Sequence, residues 1–149
     1  MFLNCHSYHS LRYGTLSVER LVATAKEMQL PYLCLTDINA SAGVYDFTKQ
    51  CRAEGIKPVV GIEFRIENRV QYIGIAKNVK GFGELCSFLS KYNLSQEEIP
   101  EFAPEFENAF IVYPLDHHPH ELRENESIGV RSEELTSLIS LKNRAYLTK

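Results

Sequence analysis

Apolar positions along the chain alternate between two spacings, one of strands and one of helices. Residues 2–5 (FLNC) are a short apolar run that predicts a strand. In "SVERLVATAKEM", Val18, Leu21, Val22, Ala25 and Met28 recur every three or four residues, as on one helix face. Ser17 suits the N-cap there, since its hydroxyl can accept an amide left unpaired in the first turn. Pro31 ends that helix, and "YLCLT" reads as a buried strand. "AGVYDFTKQCRAEG" predicts a second helix, with Val44, Phe47 and Cys51 facing inward and Gly55 at the left-handed C-terminal position. "KPVVGIEFRI" and "VQYIGIAKN" predict two strands, and "ENR" between them predicts a hairpin. "GFGELCSFLSKY" predicts a helix that buries Phe82, Leu85, Phe88 and Leu89. Next come a polar connection (95–108), a strand "AFIVYPL", and "DHHPHELREN" as a polar loop or short helix. "SIGV" is a strand, "RSEELTSLISLKN" a helix capped by Ser132, and "AYLT" a last strand.

Strands alternating with helices predict an α/β fold with a mainly parallel sheet and right-handed crossovers. A full eight-unit barrel takes about 250 residues. The 149 residues here imply a distorted or incomplete (β/α) barrel, or an open sheet. One domain over residues 1–149 is expected, and the strand at the C-terminus suggests the N-terminal fragment of a longer protein.

Composition narrows the function classes. Hydrophobic residues at 44% are enough for a sizeable core, so the chain is not a disordered segment. The net charge of −3, without a run of five like charges, gives no strong nucleic-acid patch. Neither a bilayer-spanning stretch nor a basic-then-apolar leader is visible, which points to a cytoplasmic protein without membrane contact. Cys5, Cys34, Cys51 and Cys86 form no Cys-x-x-Cys pair and read as small hydrophobes.

In parallel α/β folds, chemistry collects where strands end. His6, Asp37 and Glu63 fall at such positions and, with His9, outline a candidate cleft. Two readings stand. The three residues could hold a divalent metal. Alternatively, Asp37 caps a turn, His6 bonds backbone, and Glu63 is a half-exposed strand residue. Asp116, His117, His118 and His120 could capture zinc or nickel, or form a solvated surface loop.

Residues 2–90 carry a resemblance. "HSYHSLRYGTLSVERLVATAKEMQLPYLCLTD", "YDFTKQCRAEGIKPVVGIEF" and "IGIAKNVKGFGELCSFLS" together resemble the PHP (polymerase and histidinol phosphatase) domain that opens bacterial DNA polymerase III alpha subunits. The resemblance implies a metal-ligand set, and most of its positions are changed here. The first histidine position is Asn4, the aspartate before the turn glycine is Tyr13, the histidine after "LTD" is Ile38, and the one before "AKN" is Gln71. His6 and Glu63 remain as remnant ligand positions, and the late ligands of the family are not found.

No catalytic or metal residue is therefore expected. If a metal binds, zinc, manganese or iron would sit in the His6/Glu63 cleft. The expectation is a non-catalytic structural domain that packs against the polymerase portion of the same chain and contacts other replisome proteins. DNA synthesis would then belong to the parent nucleotidyltransferase. The alternatives are a metal-dependent phosphoesterase or 3′–5′ exonuclease, and a stand-alone interaction module.

Overall fold

Helix α1 (Val18–Glu27) begins where the Ser17 hydroxyl accepts the Arg20 amide at 3.2 Å, as its sequence predicts. Val18, Val22 and Ala25 face the core, whereas Met28 at the C-cap is 53% exposed. The structure, a computed structural model, describes residues 3–135. Strand β1 (Tyr32–Leu35) leads to α2 (Val44–Ala53), and Gly55 follows α2 with φ of 71°, the left-handed conformation that glycine takes without strain. Strands β2 (Lys57–Ile66) and β3 (Arg69–Ala76) make the expected antiparallel hairpin. Helix α3 (Val79–Ser95) is capped by Asn78, whose side-chain oxygen accepts the Gly81 amide. Strands β4 (Ala109–Pro114) and β5 (Glu126–Gly129) follow, and a single 3-10 turn covers Ser132–Glu134.

The sheet order is β1-β2-β3-β4-β5. The outer pairs β1–β2 and β4–β5 are parallel, and β3 runs against both of its neighbours. Four strands thus share one direction, and their C-terminal ends lie at the end of the sheet where β3 begins. The described sheet is open, with β1 and β5 at its edges, so it does not close into a barrel.

Residues 3–5 do not form the strand that their apolar run predicts. One ladder-like bond is present, from the Thr36 amide to the Cys5 carbonyl at 2.9 Å. Asn4 instead spends its side chain on polar partners near β2. Residues 116–125 form a loop rather than a helix. The expected helix over 131–143 and strand over 145–148 fall mostly outside the described residues, apart from the Ser132–Glu134 turn.

Two apolar clusters fill one face of the sheet. Helices α1 and α2 pack over Leu33, Leu35 and Val60. Helix α3 packs over Ile62, Phe64, Tyr72, Ile111 and Tyr113. Because side chains alternate along a strand, Glu63, Arg65, Ile73 and Val112 occupy the opposite face. All four cysteines are free. Burial pushes the thiols of Cys34 and Cys51 up to about 12 and about 11, which keeps them protonated and inert.

Candidate functional site

The loop between Cys5 and Ser17 is folded tightly on itself. Ser10 donates its amide to Ser7 O, Gly14 donates to Ser10 O, and Tyr8 donates to Leu16 O, all within 2.8–2.9 Å. A Cβ on Gly14 would lie 1.6 Å from the Ser7 carbonyl oxygen, so only glycine lets the two backbones approach.

Asp37, 1% exposed, is what holds this loop to the end of β1. It accepts the Ser7 amide and Ser7 hydroxyl at 2.7 Å each and the Ser10 hydroxyl at 2.6 Å. Ser10 in turn accepts the Ile38 amide at 2.9 Å. The reading of Asp37 as a turn-fixing residue describes these bonds well.

Glu63 lies on β2 with 0% side-chain exposure, not half-exposed as the strand pattern suggests. Backbone bonds from Glu63 N to Asp37 O and from Asn39 N to Glu63 O tie it to the chain beyond β1. Its carboxylate has donors on both oxygens. Arg65 places Nε at 2.6 Å and Nη2 at 2.5 Å from Oε1. Asn4 donates Nδ2–H to Oε2 at 2.7 Å, and His6 Nε2 lies 3.1 Å from the same oxygen. Burial alone pushes the Glu63 pKa up. The hydrogen bonds from His6 and Asn4 and the charges of His6 and Arg65 outweigh it, so the carboxyl lies below its ordinary value.

The surrounding residues complete this network. Thr36 donates its hydroxyl to Asn4 Oδ1 at 2.7 Å, which turns the Asn4 NH2 toward Glu63. Tyr13 lays its ring over Arg65, with the guanidinium carbon 4.2 Å from the ring centroid, and donates its hydroxyl to Asn68 at 2.7 Å.

Gln71 belongs to a second network. Register shifts between Phe64 and Arg65, and Gln71 is the unmatched residue of a bulge, a device that re-aims a side chain. The Gln71 side-chain oxygen faces His117 Nε2 at 3.2 Å, while Arg69 Nη2 hydrogen-bonds His117 Nδ1. Arginine only donates, so Nδ1 accepts and Nε2–H donates to Gln71. His117 is 7% exposed and stacks on Phe102 with centroids 5.4 Å apart. The loop 116–120 is therefore not simply solvated, because the polar connection 95–108 supplies the ring that covers His117. A cavity of about 640 Å³ opens here, lined among others by Asn4, Arg69, Ile73, Val112, His117 and Arg131.

The structure thus brings His6 and Glu63 together and holds Asp37 in separate bonds. His9 packs on Tyr8 at 4.4 Å and lines a different hollow, shared with Tyr13 and Ile38. Sequence reasoning missed Arg65, Ser7, Ser10 and Arg69, as well as the burial of His117. Arg65 was findable as the residue two beyond Glu63, on the same strand face. Among the described residues, no group of three or more His, Cys, Asp or Glu comes together that could hold a metal ion. No helix among them is long and apolar enough to cross a membrane.

A one-sided helical layer on an open mixed sheet, with polar residues gathered where the parallel strands end, defines an α/β domain. The chain belongs to the PHP domain family, whose model matches residues 3–127. It is 34% identical over 110 residues to DNA polymerase III subunit alpha of Ureaplasma parvum serovar 3, covering 74% of this chain and 11% of that protein. It is 41% identical over 98 residues to DNA polymerase III subunit alpha of Chlamydia muridarum, covering 56% of this chain and 8% of that one. The chain therefore spans about a tenth of the length of these relatives. An inferred metal-dependent phosphoesterase from Bifidobacterium adolescentis shares the fold, with a TM-score of 0.52 at 13% identity over 93% of this chain and 73% of that one.

Proposed function

We propose that this chain is a non-catalytic PHP domain of a DNA polymerase III alpha-type subunit. Residues 1–149 form one N-terminal unit of that cytoplasmic replication protein. It packs against the polymerase portion and offers a surface to other replisome proteins. DNA synthesis belongs to the rest of the parent chain.

One observation carries this reading: the two buried carboxylates nearest the family's ligand positions are already engaged on both oxygens by donors from the protein. Glu63 is held by Arg65, Asn4 and His6, and Asp37 by Ser7 and Ser10. A hydrolytic metal cluster needs lone pairs aimed at cations to lower the pKa of a bound water. Tyr13 and Ile38 offer none of the required kind, and Asn4 presents its amide hydrogens to Glu63 rather than its oxygen. The donor set does not fit a metal cluster, and no hydrolytic step follows from it. The alternative of a metal-dependent phosphoesterase or 3′–5′ exonuclease would require Glu63 to leave Arg65.

The test is removal of residues 1–149 from the parent protein, with thermal unfolding and primer extension as readouts. Lower stability or activity of the remainder supports the scaffold role, and an unchanged remainder contradicts it.

A further inference from the structure

We infer that the Arg65 guanidinium is the resident cation of this site, supplying the positive charge that the buried Glu63 carboxylate would otherwise take from a metal. The inference deepens the scaffold reading and rests on it.

Around a metal, neighbours of a ligating carboxylate aim lone pairs at the cation. Here they aim hydrogens at the carboxylate. Asn4 occupies a position where the family resemblance implies a histidine, yet its NH2 points to Glu63 at 2.7 Å and Thr36 fixes that orientation. Arg65 supplies the compensating positive charge that a buried carboxylate needs, through two nitrogens on one oxygen. Its side chain is 10% exposed, so the pair is shielded from water.

Tyr13 makes the substitution look concerted. It stands where the resemblance implies an acidic ligand, and it covers the guanidinium face at 4.2 Å. An aspartate there would compete with Glu63 for a cation, whereas an aromatic face completes the enclosure of Arg65. The Tyr13 hydroxyl then ties the lid to Asn68 in the β2–β3 turn. Asn4 before the loop, His6 at its start, Thr36 beyond β1 and Asn68 at the turn, through Tyr13, are thus stitched around the Glu63–Arg65 pair of β2. A structural metal performs the same task.

The experiment uses the intact chain without a histidine tag. Zinc binding is measured by calorimetry for wild type, Asn4→His, and Asn4→His combined with Arg65→Met. The double variant restores a lone pair and frees Glu63 Oε1. It is expected to bind zinc at least roughly tenfold tighter than Asn4→His alone. Any binding by the 116–120 loop is common to all three and cancels. Equal affinity of the single and double variants would overturn the inference.

Wild-type Tm is expected to be the same in EDTA and in one equivalent of zinc or manganese. A Tm that falls in EDTA would overturn the inference while leaving the scaffold reading intact. Metal-dependent hydrolysis would overturn the scaffold reading itself. Should the double variant fail to fold, Arg65→Lys keeps the charge but not the fork. A Tm below wild type and unresponsive to zinc then supports the assignment, and zinc-dependent stabilisation of Arg65→Lys opposes it.

Discussion

Arg65 reaches back along its own strand to Glu63, placing Nε 2.6 Å and Nη2 2.5 Å from a single carboxylate oxygen. Breaking a buried pair from one side leaves an uncompensated charge, at a cost of about 3–5 kcal/mol. Arg65→Met is expected to lose stability on that scale. Adding Glu63→Gln should recover part of the loss, because the orphaned charge is gone. A double-mutant cycle by urea denaturation measures the coupling, and additive effects would contradict a direct pair.

Asp37 bonds two hydroxyls and one amide of the loop that follows Cys5. Asp37→Ala strands all three donors, which belong to the buried Ser7 and Ser10. A loss of about 3 kcal/mol is expected, with faster exchange of the Ser7 amide. If amide exchange at Ser7 is unchanged, Asp37 does not hold the loop.

Glu126 gives the domain an acid limit. Burial pushes its pKa up, but bonds from Arg123 and Tyr113 and the Arg123 charge prevail, so the folded value lies below the ordinary one. A lowered folded pKa contributes stability above the unfolded value, and that contribution is lost as pH falls through the folded one. The stability gap between wild type and Glu126→Gln should therefore be present at neutral pH and shrink below about pH 4. Urea midpoints across that range check it, and a gap constant with pH would refute the linkage.

Tyr72 is 0% exposed, and its hydroxyl has no hydrogen-bond partner among the described residues. Burial raises its pKa well above that of a free phenol, so the group stays neutral. Tyr72→Phe removes a desolvated hydroxyl and keeps the ring contacts with Phe64 and Tyr113. A gain of about 1 kcal/mol is expected from thermal unfolding. A loss would mean that the hydroxyl has a partner.

Local rules explain what the sequence makes legible. Ser17, Gly55 and the hairpin turn act through neighbours within a few residues, so α1, α2 and the β2–β3 pair follow from spacing. The proximity of His6 to Glu63 follows from the family resemblance. Residues 3–5 fail as a strand because backbone partners distant in sequence decide strand formation, and this segment makes a single ladder-like bond, from the Thr36 amide to the Cys5 carbonyl. His117 looks like a surface residue because Phe102 and Gln71, which bury it, are far away in the chain. Arg65 looks like an ordinary polar position of a strand, and only the burial of Glu63 gives it a role.

On the scaffold reading, this PHP domain keeps its fold without hydrolytic chemistry. The most direct measurement is metal content and phosphoester hydrolysis of the tag-free chain, using a nitrophenyl phosphate ester and single-stranded DNA with added manganese or zinc. Substoichiometric metal and no turnover above the blank are expected. Stoichiometric metal with hydrolysis that is abolished by Glu63→Gln would contradict it.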